Sequence, residues 1–128
     1  MDSKINFTGA TLGLTAIVLG AFGAHSLKDV LSTTELATFE TGVKYQMYHA
    51  LFFLFLGLNQ QIDQKMKKLI FSFISFGVLF FSGSIYLLAT QNVTHLNFKP
   101  FGITTPIGGL LLIIGWGLFA KQFLSKKS

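Results

Sequence analysis

The chain reads as all-α, an integral membrane four-helix bundle, on three observations. Its mean hydropathy is +0.59 with 12% charged residues, too apolar and too unevenly patterned for a soluble domain built on one core. The apolar residues gather into four runs, at about 5–24, 40–59, 69–90 and 106–123, each near the roughly 20 residues a helix needs to cross about 30 Å of hydrocarbon. Apart from Lys44 and Lys121, which fall near the ends of the second and fourth runs, the lysines flank these runs. A pI of about 9.6 and a net charge of +5 therefore point to orientation in a bilayer, and no nucleic-acid partner is expected. The whole of 1–128 is one membrane domain. The absence of cysteine excludes disulfides, thiolate metal sites and cysteine nucleophiles.

The first run carries Gly9, Gly13, Ala16, Gly20 and Ala24 along one side of a helix. Such a small-residue stripe lets a neighbouring backbone come close where lipid removes the usual hydrophobic drive for association. Ala21-Phe22-Gly23 has the spacing of a leader-peptide cleavage site. The run is longer than a leader's apolar core and has only Lys4 before it, so it is read as a retained span.

A polar connection follows, in which Ser32-Thr33-Thr34-Glu35 fits a capping box with Ser32 as N-cap. Leu36, Phe39, Val43 and Met47 continue at helical spacing, which predicts one long helix entering lipid after its first turns; a break near Gly42 is the alternative. Glu40 and Lys44, four apart, are placed to pair. Only 50–58 is uniformly apolar, so a crossing that ends near Asn59 must begin near Glu40. That puts Gln46 and His49 at membrane depth, where polar side chains are costly unless they face protein.

The polar stretch NQQIDQKMKK at 59–68 closes a hairpin into the third run. There Ser82-Gly83-Ser84 and Tyr86 interrupt an otherwise apolar helix, and the serines are expected to bond their own backbone or a neighbour. A loop at 91–104 contains Asn92, Asn97, Pro100 and Gly102, and Thr105-Pro106 reads as a cap followed by proline at the first helical position. The last run carries Gly108, Gly109, Gly115 and Gly117 as close-approach points, and Trp116 so deep that its indole N–H calls for a protein partner.

With four crossings, one side of the membrane holds Lys4, Lys65, Lys67, Lys68, Lys121, Lys126 and Lys127, seven of the 10 lysines. The positive-inside rule then makes both termini cytoplasmic, in a multi-pass protein of the cytoplasmic membrane. All three histidines fall in the other half, with His25 at the end of the first helix, His49 within the second and His95 in the later loop. Glu40, Tyr45, Gln46, Tyr48, Ser84 and Tyr86 share that half.

These residues define a candidate outward-facing polar cluster, His25, Glu40, Tyr45, Gln46, His49, Ser84 and Tyr86. The leading reading is that they bond one another across the bundle and fix helix register. A metal held by His25, His49, His95 and Glu40 is chemically conceivable, but no two of the histidines sit four apart on one helix face. Haem held by His49 would need the shallow His25 as its second axial ligand. Neither a nucleophile motif nor a glycine-rich phosphate loop is present, so no catalytic residue, metal or cofactor is assigned. Helix packing is assigned to Gly9, Gly13, Gly20, Gly83, Gly108 and Gly109.

Four motifs in order, GAFGAH at 20–25, YQMYHAL at 45–51, FSGSIYLL at 81–88, and TPIGG at 105–109 with Gly115-Trp116, resemble the small membrane proteins of domain-of-unknown-function family 423, related to the transmembrane protein 256 group. The resemblance covers nearly the whole chain. It implies a bacterial inner-membrane protein of four helices and carries no activity to transfer. The expectation is a non-enzymatic packing or accessory subunit in contact with the lipid bilayer, as a homo-oligomer or within a larger membrane complex. The alternative is a ligand-handling protein or an oligomeric solute or ion conductor using the polar cluster.

Overall fold

The computed structural model describes residues 1–124. Four helices account for nearly all of them: α1 (Asp2–His25), α2 (Thr33–Leu58), α3 (Gln64–Thr94) and α4 (Thr104–Leu124). Short 3-10 segments, Leu27–Asp29 and Lys99–Ile103, lie in the first and third connections, and no strand occurs among the described residues. Lys126 and Lys127, counted above in the orientation argument, lie outside them.

Helix starts follow side-chain chemistry. Ser32 Oγ accepts from the Glu35 N–H at 3.1 Å while Glu35 Oε1 accepts from the Ser32 N–H at 2.9 Å, the reciprocal capping box expected from sequence. Asp63 caps α3 by accepting from the Met66 N–H at 2.8 Å. The polar turn therefore shrinks to 59–63, and the three lysines that follow belong to the helix. Charge ends a membrane span, but it does not end a helix. At its other end α3 continues to Thr94 and stops at His95, whose φ of 62° is left-handed.

Two expectations are corrected. Thr105 is not an N-cap: the Lys99–Ile103 segment feeds directly into α4 at Thr104, so Thr105 lies inside the first turn and its hydroxyl is free to bond across to α3. The Glu40–Lys44 pair does not form. The ion pair among the described residues is Lys67–Asp2, 3.1 Å. α2 runs unbroken through Gly42, where a Cβ would stand 2.7 Å from the Tyr86 ring. That glycine admits α3 instead of breaking α2.

α1 packs along α2 and α4 along α3, and α2 against α3 joins the two hairpins. Asp2 meets Gln64 and Lys67 at the end bearing the N-terminus, and Glu35 meets Asn92 at the opposite, loop end. One apolar cluster, including Ile5, Phe53, Leu56, Ile70, Ile74 and Leu112, fills the first end, and another, of Leu27, Leu31, Phe39 and Ala89, fills the second.

The surface is far more apolar than that of a soluble bundle, and a few polar side chains lie inside. Phe7, Leu14, Phe55, Leu79 and Ile113 are 61–72% exposed, while Gln46, His49, Lys67, Ser82 and Ser84 are buried. Water would penalise that surface and lipid does not. α1, α3 and α4 are each long and apolar enough to cross a membrane. α2 is not among them, because Lys44, Gln46 and His49 lower the hydropathy even of its most apolar stretch.

Candidate functional site

The sequence-predicted cluster resolves into three separate bonded groups, and two of its members stand apart. Gln46 projects from α2 toward α1 and α3. Its Nε2 donates to the Leu12 carbonyl at 2.9 Å and to Thr15 Oγ1 at 2.7 Å, and its Oε1 accepts from the Tyr86 hydroxyl at 2.6 Å. A carbonyl can only accept, so this network fixes which way the amide faces. One turn away, Ser82 Oγ donates to the Gly42 carbonyl at 2.8 Å, a second α2–α3 link made possible by the side-chain-free contact at Gly42.

His49 is 3% exposed and faces α4. Its Nδ1 lies 2.6 Å from the Tyr45 carbonyl, which can only accept, so Nδ1 carries the proton. Nε2 then accepts from the Trp116 indole N–H at 3.0 Å, the protein partner that a deep tryptophan requires. The imidazole is neutral with both nitrogens occupied. Trp116 packs edge-on against Phe52, with ring centroids 4.5 Å apart. A hollow of about 400 Å³ beside this pair is walled mostly by apolar carbon, from Tyr45, Phe81, Leu112 and Ile113. The Tyr45 side chain itself is exposed.

The third group joins α3 to α4. Ser84 Oγ donates to the Phe80 carbonyl at 2.5 Å and lies 2.5 Å from Thr105 Oγ1. With its one proton committed to Phe80, the serine accepts from the threonine.

His25 and Glu40 are exposed on their helices, and neither joins the buried groups. His95 is likewise exposed, at the far end of α3. Among the described residues no three His, Asp or Glu side chains are grouped to hold a metal ion.

Of the glycines assigned to packing, Gly9 and Gly108 are the tight ones. A Cβ at Gly9 would stand 2.8 Å from the Ala50 carbonyl oxygen, and one at Gly108 would collide with the Phe81 backbone nitrogen. Gly13, Gly20 and Gly109 make ordinary contacts at 3.5–3.9 Å. Gly83 is a correction: nothing lies within 4 Å of its Cβ position, and the same holds for Gly117. Both point away from neighbouring helices and hold no backbone close.

Sequence reasoning missed Gly42, Gly57 and Gly77, each of which opposes a neighbouring helix closely. It also missed the group at the first end, where Lys67, 1% exposed, and Gln64 both donate to Asp2 Oδ1. The available signal was Asp2 as a lone acid beside a turn rich in lysine. At the loop end the Glu35 carboxyl is held below the usual carboxylate range, chiefly by the Ser32 backbone N–H and then by the Asn92 amide.

Comparison with known proteins agrees with this architecture. The family described as protein of unknown function (DUF423) matches residues 19–109. The chain is 43% identical over 108 residues to a UPF0382 membrane protein of Staphylococcus epidermidis, covering 84% of each chain. It is 37% identical over 128 residues to a UPF0382 membrane protein of Haemophilus influenzae, covering 100% of this chain and 99% of that one. Over 112 residues it is 35% identical to the UPF0382 inner membrane protein YgdD of Escherichia coli, covering 85% and 80%. No solved structure matches. The apolar helices agree with the membrane-protein relatives, and the family match over most of the length shows the rest: this chain is a helical membrane protein and belongs to the DUF423 family.

Proposed function

We propose that the protein is a non-enzymatic packing or accessory subunit of the cytoplasmic membrane, in which the polar cluster fastens helices together and handles no ligand. The observation that carries this is hydrogen-bond saturation at Gln46 and His49, the two buried polar side chains of α2. Both ring nitrogens of His49 and both donor positions of the Gln46 amide are taken by atoms of the bundle, and its Oε1 already accepts from Tyr86. A ligand would have to break those bonds before making its own. All four helices cross the bilayer in this reading. α2 does so by companionship, since it lies between α1 and α3 and buries Gln46 and His49, two of the residues that lower its hydropathy.

Both termini lie on the cytoplasmic side in this reading, supported by the lysines gathered at that end; the inner-membrane description of the Escherichia coli relative supports the choice of membrane. The experiment is His49→Leu in purified protein. Fastening predicts lower thermal stability in detergent, because Trp116 loses its acceptor. A stable variant that has lost a co-purifying small molecule would overturn the proposal.

A further inference from the structure

We propose that the first turns of α3 bind one anionic phospholipid, with Lys65 and Lys68 on its phosphate and Met66 and Leu69 beneath its acyl chain. The three lysines that open this helix have different fates. Lys67 turns into the bundle and is neutralised by Asp2. Lys65 and Lys68, three apart and so on one face, are exposed and have no carboxylate partner among the described residues. The nearby Asp63 is committed to its cap. The two lysines rim a hollow of about 300 Å³ lined further by Met66, Leu69 and Ser72, with Leu69 itself exposed.

Depth fits this occupant. α3 has 31 residues, about 46 Å at 1.5 Å per residue, longer than the roughly 30 Å of hydrocarbon. Its first turns therefore stand at headgroup level, while Leu69 and Ser72 reach the acyl boundary. A zwitterionic headgroup would set its own cation against these lysines, and a net-anionic one would not.

The test uses the full chain in detergent, titrated with phosphatidylglycerol or phosphatidylcholine and read by native mass spectrometry. Wild type should retain one phosphatidylglycerol in preference to phosphatidylcholine. At low ionic strength Lys68→Gln should weaken phosphatidylglycerol binding about fivefold, and Lys65→Gln with Lys68→Gln roughly thirtyfold, with phosphatidylcholine binding unchanged. Lys4→Gln with Lys121→Gln removes the same charge from the same end and should change binding less than threefold. Equal loss in that control would mean diffuse attraction and would overturn the site. Undiminished binding by the double variant would overturn it too, and so would displacement by millimolar inorganic phosphate, which would show a simple anion site.

Discussion

Replacing Gln46 by leucine removes three hydrogen bonds at once, to Leu12, Thr15 and Tyr86, while keeping side-chain volume close to constant. Hydrogen bonds between membrane helices average about 0.6 kcal/mol, with a maximum near 1.7, so the loss should be about 2 kcal/mol, roughly thirtyfold in the unfolding equilibrium. Tyr86→Phe removes one of the three bonds and should cost about 0.6 kcal/mol by the same measure. In the double variant the Gln46–Tyr86 bond can be lost only once, so the two changes should be sub-additive by about 0.6 kcal/mol. Reversible unfolding in mixed detergent micelles, followed by fluorescence of the single tryptophan, measures all four corners of the cycle. If Gln46→Leu is as stable as wild type and the cycle shows no coupling, polar fastening of α1, α2 and α3 is refuted.

Other substitutions probe separate links. Gly108→Leu should disrupt the α3–α4 hairpin, because even its Cβ meets the Phe81 backbone, whereas Gly83→Leu should fold normally, since nothing opposes that position; detergent size-exclusion profiles of the pair give the comparison. His49→Phe should shift Trp116 emission by freeing its indole N–H from the imidazole acceptor, and an unchanged spectrum would count against that contact. The Glu35 carboxyl, its proton affinity lowered by the Ser32 N–H and Asn92, contributes stability that is present above its unfolded pKa and is lost as pH falls through the lower folded value. Acidification from roughly pH 5 downward should therefore weaken wild type more than Glu35→Gln, as followed by melting temperature against pH.

What the sequence made legible depended on range. The capping box at Ser32 is visible because donor and acceptor sit three residues apart, and the apolar runs announce the class because lipid tolerates nothing else. Trp116 signalled that it needed a partner, but its identity required the α2–α4 packing that brings His49 within 3.0 Å. The predicted cluster shared a membrane half, and depth alone cannot say which helix face a residue occupies. Hence Gln46 and His49, three apart, serve different neighbours, while His25 and Glu40 stay at the surface. Small residues show the same limit. Gly83 and Gly77 look alike in a string of letters, yet one faces open space and at the other an added Cβ would stand 2.7 Å from Leu112.

Solid-state NMR of the protein in lipid bilayers, with histidine and tryptophan labelled by nitrogen-15, tests the central claim most directly. The account predicts a neutral His49 protonated on Nδ1, with its Nε2 coupled through space to the Trp116 indole proton. A proton found on Nε2, or a coupling from that nitrogen to a bound molecule in place of the indole, would contradict it.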